Sequence, residues 1–298
     1  MGAIEQNGIA QYEPVAIAAS DGFMLAARLY AKPAPAGART VALVNAGAGL
    51  RQTYYGAFAS FLANAGIPTL TYDYRGIGAS RPRSLRRFQA TVEDWGSKDC
   101  ASVVNWMKTR FSEATLAIVG HSVGALVTGF VTNGPAIDAM LWIGGHTGYW
   151  RDYRSALKPA MFAAWHVVTP AVSRVVGYFP GRALGLGEDL PHGVVLQWAQ
   201  RRKPELWWNL TDRDRIEDVR ARFASIHART LALRFADDAF ATAGATRRLA
   251  QLYVNAQVRE ECIAPAEIRA RKAGHFAFFR ADLSSALWPR ALRFLASA

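Results

Sequence analysis

The sequence predicts an α/β protein with a mostly parallel central sheet, helices on both faces, and an inserted block of helices. Three observations carry this. Short buried-type apolar runs alternate with segments of helical spacing from Thr40 to Ile143. The alternation stops near Thr147 and resumes only at Thr230 to Ala236, leaving roughly eighty residues of helical spacing between. The chain has 298 residues, 51% hydrophobic and 19% charged. That is the composition of a folded chain, with volume for a core that needs no disulfides, and it excludes disordered and collagen-like classes.

The elements follow in order. Asp21 and Gly22 form a turn pair that predicts an antiparallel N-terminal hairpin. Thr40 to Asn45 is a buried strand that runs into the glycine-rich AGAG loop, Ala46 to Gly49. Tyr55 to Ala65 has helical spacing, Gly66 ends it, and Pro68 to Tyr74 is the next strand. Thr91 with Asp94 three residues on is a capping-box pattern opening a helix over Glu93 to Phe111. Then come a strand at Thr115 to Val119, a helix from about Val123 to Val131 and a strand at Ala139 to Ile143. Beyond the insertion lie the strand at Thr230 to Ala236, a helix around Ala245 to Tyr253, a last strand near Val258 to Ile263, a loop with Gly274 and His275, and a terminal helix. The expected division is a core of residues 1–146 and 229–298 and a helical cap of residues 147–228.

The net charge is +12, and six of the 35 basic residues are lysines, the other 29 arginines. Such a balance draws acidic substrates, anionic surfaces or nucleic acid without choosing among them. Nucleic-acid binding would require the basic run to continue onto a face with interleaved aromatics, and no such module is present, so no nucleic-acid partner is expected. The two cysteines, Cys100 and Cys262, have no ligand-type spacing, so neither a metal nor a redox pair is expected. Met1 to Ala10 lacks the basic and apolar regions of a secretory leader, which points to a cytoplasmic protein. The longest weakly charged stretch, Ala160 to Ser173, is too short to span a bilayer. Contact with a lipid surface is one reading of this segment, but its polar face lacks the lysine-rich character of an interfacial helix, so a buried lid helix is expected there.

Gly120-His121-Ser122-Val123-Gly124 fits GxSxG at a strand-to-helix junction. The pattern alone is weak; the junction makes it specific. A sharp turn there forces the serine into a crowded conformation that only small flanking residues permit, and it aims the first helical N–H groups at the same place. A lone serine hydroxyl is a poor nucleophile and needs a base, which needs an orienting acid. Both follow in chain order. The strand at Thr230 to Ala236 runs into Asp237-Asp238, and the last strand is followed by Gly274-His275-Phe276.

Four landmarks, in order, show that the chain resembles the serine-nucleophile α/β-hydrolases over nearly its whole length. They are the AGAG loop, Asp73 to Ser80 (DYRGIGAS), the GHSVG elbow and Gly274-His275-Phe276. More narrowly it is similar to bacterial hydrolases with a GHFxFFR-type ending, here Gly274 to Arg280. The resemblance implies the α/β-hydrolase fold with a cap, hydrolysis of an ester, thioester or amide in a small-molecule acyl substrate, and no cofactor. It makes Ser122 the nucleophile and His275 the base. Asp238 is preferred over Asp237 as the acid, because the family's acid usually stands a few residues past the strand end. The family often has His-Gly after its first parallel strand, and Ala46-Gly47 occupies that place here. An oxyanion hole uses main-chain N–H groups, so it is assigned to Val123 and Ala48. An acyltransferase using the same acyl-enzyme, or a ligand-binding protein that keeps the elbow, stands as the alternative.

Other residues have plainer expectations. His121 is expected to pack or support a loop, since neighbours on an elbow diverge. His146 is a loop residue or lines the pocket. His166, His192 and His227 have no partners at ligand spacing. In the run Arg75, Arg81, Arg83, Arg86 and Arg87, Arg75 belongs to the turn motif and the rest form a solvated loop face or hold an acidic head group. Trp150, Trp165, Trp198, Trp207 and Trp208 are read equally as an apolar pocket or as the cap's own core. Oligomeric state is not legible.

Overall fold

A computed structural model describes residues 12–31, 39–201 and 213–297. Trp207 and Trp208 lie outside them. β1 (Tyr12–Ala18) and β2 (Met24–Tyr30) form the predicted antiparallel hairpin, with Gly22 at φ 81° in its turn. β3 (Thr40–Asn45), α1 (Gly56–Asn64) and β4 (Thr69–Tyr72) follow. The helix expected at 93–111 is α2 (Val92–Asp94), a π-helical stretch (Trp95–Cys100) and α3 (Ala101–Arg110). Its capping box is formed, Thr91 Oγ1 accepting from the Asp94 amide and Asp94 from the Thr91 amide.

β5 (Thr115–His121), α4 (Val123–Val127) and β6 (Ala139–Ile143) complete the first half. After β6 the chain leaves the sheet. α5 (Lys158–Ala163), a π-helical stretch (Ala164–Val168) and α6 (Thr169–Val176) run on from one another to the left-handed Gly177. β7 (Tyr178–Phe179) and β8 (Leu190–Pro191) then pair antiparallel in an interval where no strand was expected. Two residues per strand show no alternation, so periodicity could not find them. α7 (His192–Ala199) and α8 (Arg213–Ala224) follow. α8 lies within the interval expected to be cap, yet its Phe223 ring meets Phe130 and Tyr253 at 5.2 and 4.9 Å, on the sheet side.

β9 (Arg229–Phe235), α9 (Ala243–Ala250), β10 (Gln257–Ile263) and α10 (Ser284–Ala296) close the fold. The strand order is β1-β2-β4-β3-β5-β6-β9-β10, parallel from β4 through β10 and antiparallel at β1 and β2. β3, β5 and β6 sit in the middle as apolar runs buried on both faces, as parallel strands covered by helices require. Their C-terminal ends share one rim, where Asn45, His121 and Ile143 end their strands. Ligands in open α/β sheets collect at this rim.

Candidate active site

Ser122 follows the last residue of β5 at φ 55°, ψ −120°, a conformation costly for a residue with a side chain. The flanking glycines show why the turn is possible. A Cβ on Gly120 would lie 2.6 Å from Ala125 Cα, and one on Gly124 would lie 2.1 Å from the Asn45 carbonyl oxygen. β5, α4 and the end of β3 therefore close up around the serine, as the GxSxG spacing predicts. Val123 is the first residue of α4, so its N–H has no acceptor within the helix and points out of the N-terminus beside Ser122.

Three side chains far apart in sequence meet here. His275 Nε2 lies 2.9 Å from Ser122 Oγ, and His275 Nδ1 lies 2.8 Å from Asp238 Oδ2. Asp238 is 2% exposed and His275 9%. Burial alone would raise the Asp238 carboxyl, but the hydrogen bond and charge of His275, with the Phe240 and Ala241 amides, hold it below its usual value. It therefore stays a carboxylate that accepts from Nδ1–H, which leaves Nε2 free to accept the serine proton. Asp237 points elsewhere, accepting from the amides of Ala273 and Gly274 at 2.9 Å each and pinning the loop that carries His275.

The two other histidines at the rim are locked by their partners. The Tyr55 hydroxyl accepts from the Gly47 amide at 2.8 Å and donates to His121 Nδ1 at 2.9 Å. His121 Nε2–H then faces the His275 carbonyl at 3.4 Å, which is the loop-supporting role expected of it. His146 goes further than its sequence reading. Its Nδ1 accepts from the Gly148 amide at 2.9 Å, so Nε2 carries the hydrogen and donates it to Ser122 Oγ at 3.1 Å. Burial, with the neighbouring His275 adding to it, pushes His146 down to about 3, and His121 likewise to about 3. Both are neutral near pH 7. The place of His146 just past the end of β6 was the signal behind its pocket-lining reading.

A family model described as serine aminopeptidase, S33, matches residues 36–263. The chain belongs to this α/β-hydrolase family. It is accordingly a hydrolase, and solved structures share the fold of this S33-family chain. An esterase from Pyrococcus furiosus is 14% identical, with a TM-score of 0.60, over 97% of this chain and 91% of the other. A hypothetical protein from Pseudomonas aeruginosa is 14% identical, with a TM-score of 0.62, over 99% and 95%. A puromycin-hydrolyzing peptidase from Mycobacterium tuberculosis is 14% identical, with a TM-score of 0.60, over 97% of this chain but 39% of the peptidase. No curated protein matches the chain.

In this S33-family chain the DYRGIGAS loop is a structural brace. Asp73 accepts from the Gln52 and Ala79 amides, and Ser80 Oγ donates to the Asp73 carbonyl. Arg75, 4% exposed, is bonded to Asp99 and, through both terminal nitrogens, to Asp21. Trp165 packs on Trp198 at 5.4 Å and Trp150 on Phe162 at 4.8 Å, so these three serve the packing of the segment after β6. Phe240 and Phe276 flank the His275 ring at 5.2 Å each, and Tyr153 faces His146 at 5.9 Å. Gly47 borders the nucleophile; a Cβ there would lie 3.5 Å from Ser122 Cβ. Its amide is taken by Tyr55, which leaves the next one, Ala48, as the candidate donor from this loop. Among the described residues no helix is long and apolar enough to cross a membrane.

Proposed function

We propose that this chain is a serine hydrolase that cleaves a carboxylic ester through an acyl-enzyme on Ser122, with His275 as base and Asp238 as orienting acid. The observation that supports this most is the unbroken line of hydrogen bonds Asp238–His275–Ser122, at 2.8 and 2.9 Å. Ser122 Oγ gives its proton to His275 Nε2 as it attacks the carbonyl carbon, and the Asp238 carboxylate steadies the imidazolium. The carbonyl oxygen, now negative, is met by the N–H groups of Val123 and Ala48, fixed in place before the charge forms. The imidazolium then protonates the leaving alcohol, and water repeats the sequence on the acyl-enzyme. His146, through Nε2–H, stabilises the negative charge that returns to Oγ when the acid product departs.

Tyr153, Phe240 and Phe276 offer an apolar acyl group aromatic walls around the base. An aminopeptidase would need a carboxylate for the substrate's ammonium group. Asp238 is committed to His275, and Asp152, next to Tyr153, is held by both Nε and Nη2 of Arg248. That favours an ester over a peptide with a free amino end. Residues 147–228 are read as the cap over this site, with α8 serving the sheet side.

The test is turnover of a chain-length series of nitrophenyl esters and thioesters, beside an aminoacyl nitroanilide, by the parent and by Ser122→Ala, Asp238→Asn and Asp237→Asn. Ester turnover is expected to vanish in Ser122→Ala and to fall by up to about 10⁴-fold in Asp238→Asn. The loss in Asp237→Asn should be smaller, since it loosens the His275 loop without touching the ring. A parental rate in Ser122→Ala, or the larger loss in Asp237→Asn, would overturn the assignment.

A further inference from the structure

The rod from Lys158 to Val176 is buried on one side only. His166, Thr169 and Ser173 face inward, at 3%, 6% and 0% exposure. Ala160, Ala163, Val167, Ala171 and Val175 are exposed, and their spacing of three or four residues puts them on one face. Val175 is 88% exposed and Val168, beside the stripe, 52%. A second group stands near the end of this rod. The loop from Gly181 to Glu188 carries Leu184 and Leu186 at 54% and 68% exposure. The loop is not slack: the Leu186 amide bonds the Gly181 carbonyl at 2.9 Å, the Glu188 amide bonds Gly49 at 2.8 Å, and Glu188 pairs with Arg51. Its backbone is held while its leucines point out. Five of the nine large exposed hydrophobic side chains among the described residues thus fall between 167 and 186, a concentration that marks an interaction surface.

Tertiary structure adds what sequence spacing concealed. The loop with Arg81, Arg83, Arg86 and Arg87 comes to the C-terminal end of this rod, next to the loop that carries the two leucines. Arg81 pairs with Asp189 at 2.6 Å, and a Cβ on Gly177, at the end of α6, would lie 3.3 Å from Arg86 Cγ. Arg83, Arg86, Arg87, Arg174 and Arg182 are exposed. Neither segment 74–92 nor segment 153–187 contains an aspartate or glutamate. Glu188 and Asp189, at the edge, are 6% exposed and already paired.

We propose that this face docks on an anionic lipid surface, the valines and leucines entering the headgroup boundary and the arginines binding the headgroups. Amphipathic helices bind interfaces through this pairing of apolar burial with cationic attraction. A second copy of the chain would set arginine against arginine. A protein partner would be expected to engage aromatic anchors and pockets, whereas this face presents protruding aliphatic tips. The loop also rests on Gly49, in the same AGAG turn as Gly47 beside Ser122, so docking would set the candidate site against the lipid.

The test is sedimentation of the full chain with vesicles of phosphatidylcholine containing phosphatidylglycerol, beside vesicles of phosphatidylcholine alone. Binding is expected only to the anionic vesicles and should weaken at about 0.5 M salt, where charges are screened within a few ångströms. Arg86→Glu with Arg87→Glu should lower the partition coefficient by roughly thirtyfold or more. Val175→Asp with Leu186→Asp should also weaken binding, with Val175→Ser and Leu186→Ser as milder forms, each variant melting at the parental temperature. No sedimentation with either vesicle, or binding unchanged in both variants, would overturn the proposal. So would a dimer seen by light scattering without lipid and lost in Val175→Asp, because the face would then belong to a second copy.

Discussion

At Ser122 Oγ the partners have opposite polarity. His275 Nε2 accepts the hydroxyl proton at 2.9 Å, and His146 Nε2–H donates at 3.1 Å. On the proposed mechanism, during acylation the donor works both ways, steadying the charge on Oγ while tying up a lone pair, and the two effects oppose. During deacylation Oγ leaves as the charge returns to it, and the donor only helps. In His146→Phe the nitrophenol burst should therefore persist while the steady rate falls about tenfold, short of the 10² to 10³ lost with an oxyanion donor. The acyl-enzyme should accumulate by mass, and His146→Gln, which keeps an N–H, should recover part of the rate. Equal slowing of both phases would show a merely structural histidine. Sequence offered little here, because the role of His146 depends on the Gly148 amide that fixes its tautomer, a contact made only in three dimensions.

At the scale of elements, legibility followed the strength of the local signal. The central strands were readable because burial on both faces leaves unbroken apolar runs such as TVALVN and AMLWI. The elbow was readable because two close approaches, of Gly120 to Ala125 and of Gly124 to Asn45, admit only glycine. The chain order Ser, Asp, His pointed to the other two side chains, and of the two aspartates Asp238 is the one that contacts the His275 ring, at 2.8 Å. Three features were not legible. The π-helical stretches at Trp95–Cys100 and Ala164–Val168 differ from α-helix by hydrogen-bond register, which residue types do not encode. The pairing of β7 with β8 is too short for a pattern. The segment Ala160 to Ser173, expected as a buried lid helix, is buried on one side only, with Ala160, Ala163, Val167 and Ala171 exposed, and which side of a helix is covered depends on what the fold packs against it.

For the whole molecule, a net charge of +12 gave no direction until the fold gathered exposed arginines beside exposed aliphatic side chains. Buried titrating groups set a second global property. His121 and His146 fall from the ordinary 6.5 to about 3 in the folded chain, chiefly through burial. Between those values the unfolded chain binds two protons that the folded chain does not, so stability rises with pH across this window and is lost as pH falls below 6.5. Asp99, pushed by burial from 3.8 up to about 6, works the other way between those values and offsets about one proton. Unfolding free energy should thus fall on acidification below pH 6.5, and replacing His121 with Asn should reduce the slope by about 1.4 kcal/mol per pH unit. An unchanged slope in denaturant titrations of the two proteins would contradict this. Activation of Ser122 as a nucleophile by His275 is tested by labelling with a fluorophosphonate and locating the adduct by peptide mass spectrometry. A single adduct on Ser122 is expected, forming at least about 10³-fold more slowly in His275→Ala. An adduct on another residue, or equally fast labelling without His275, would contradict it.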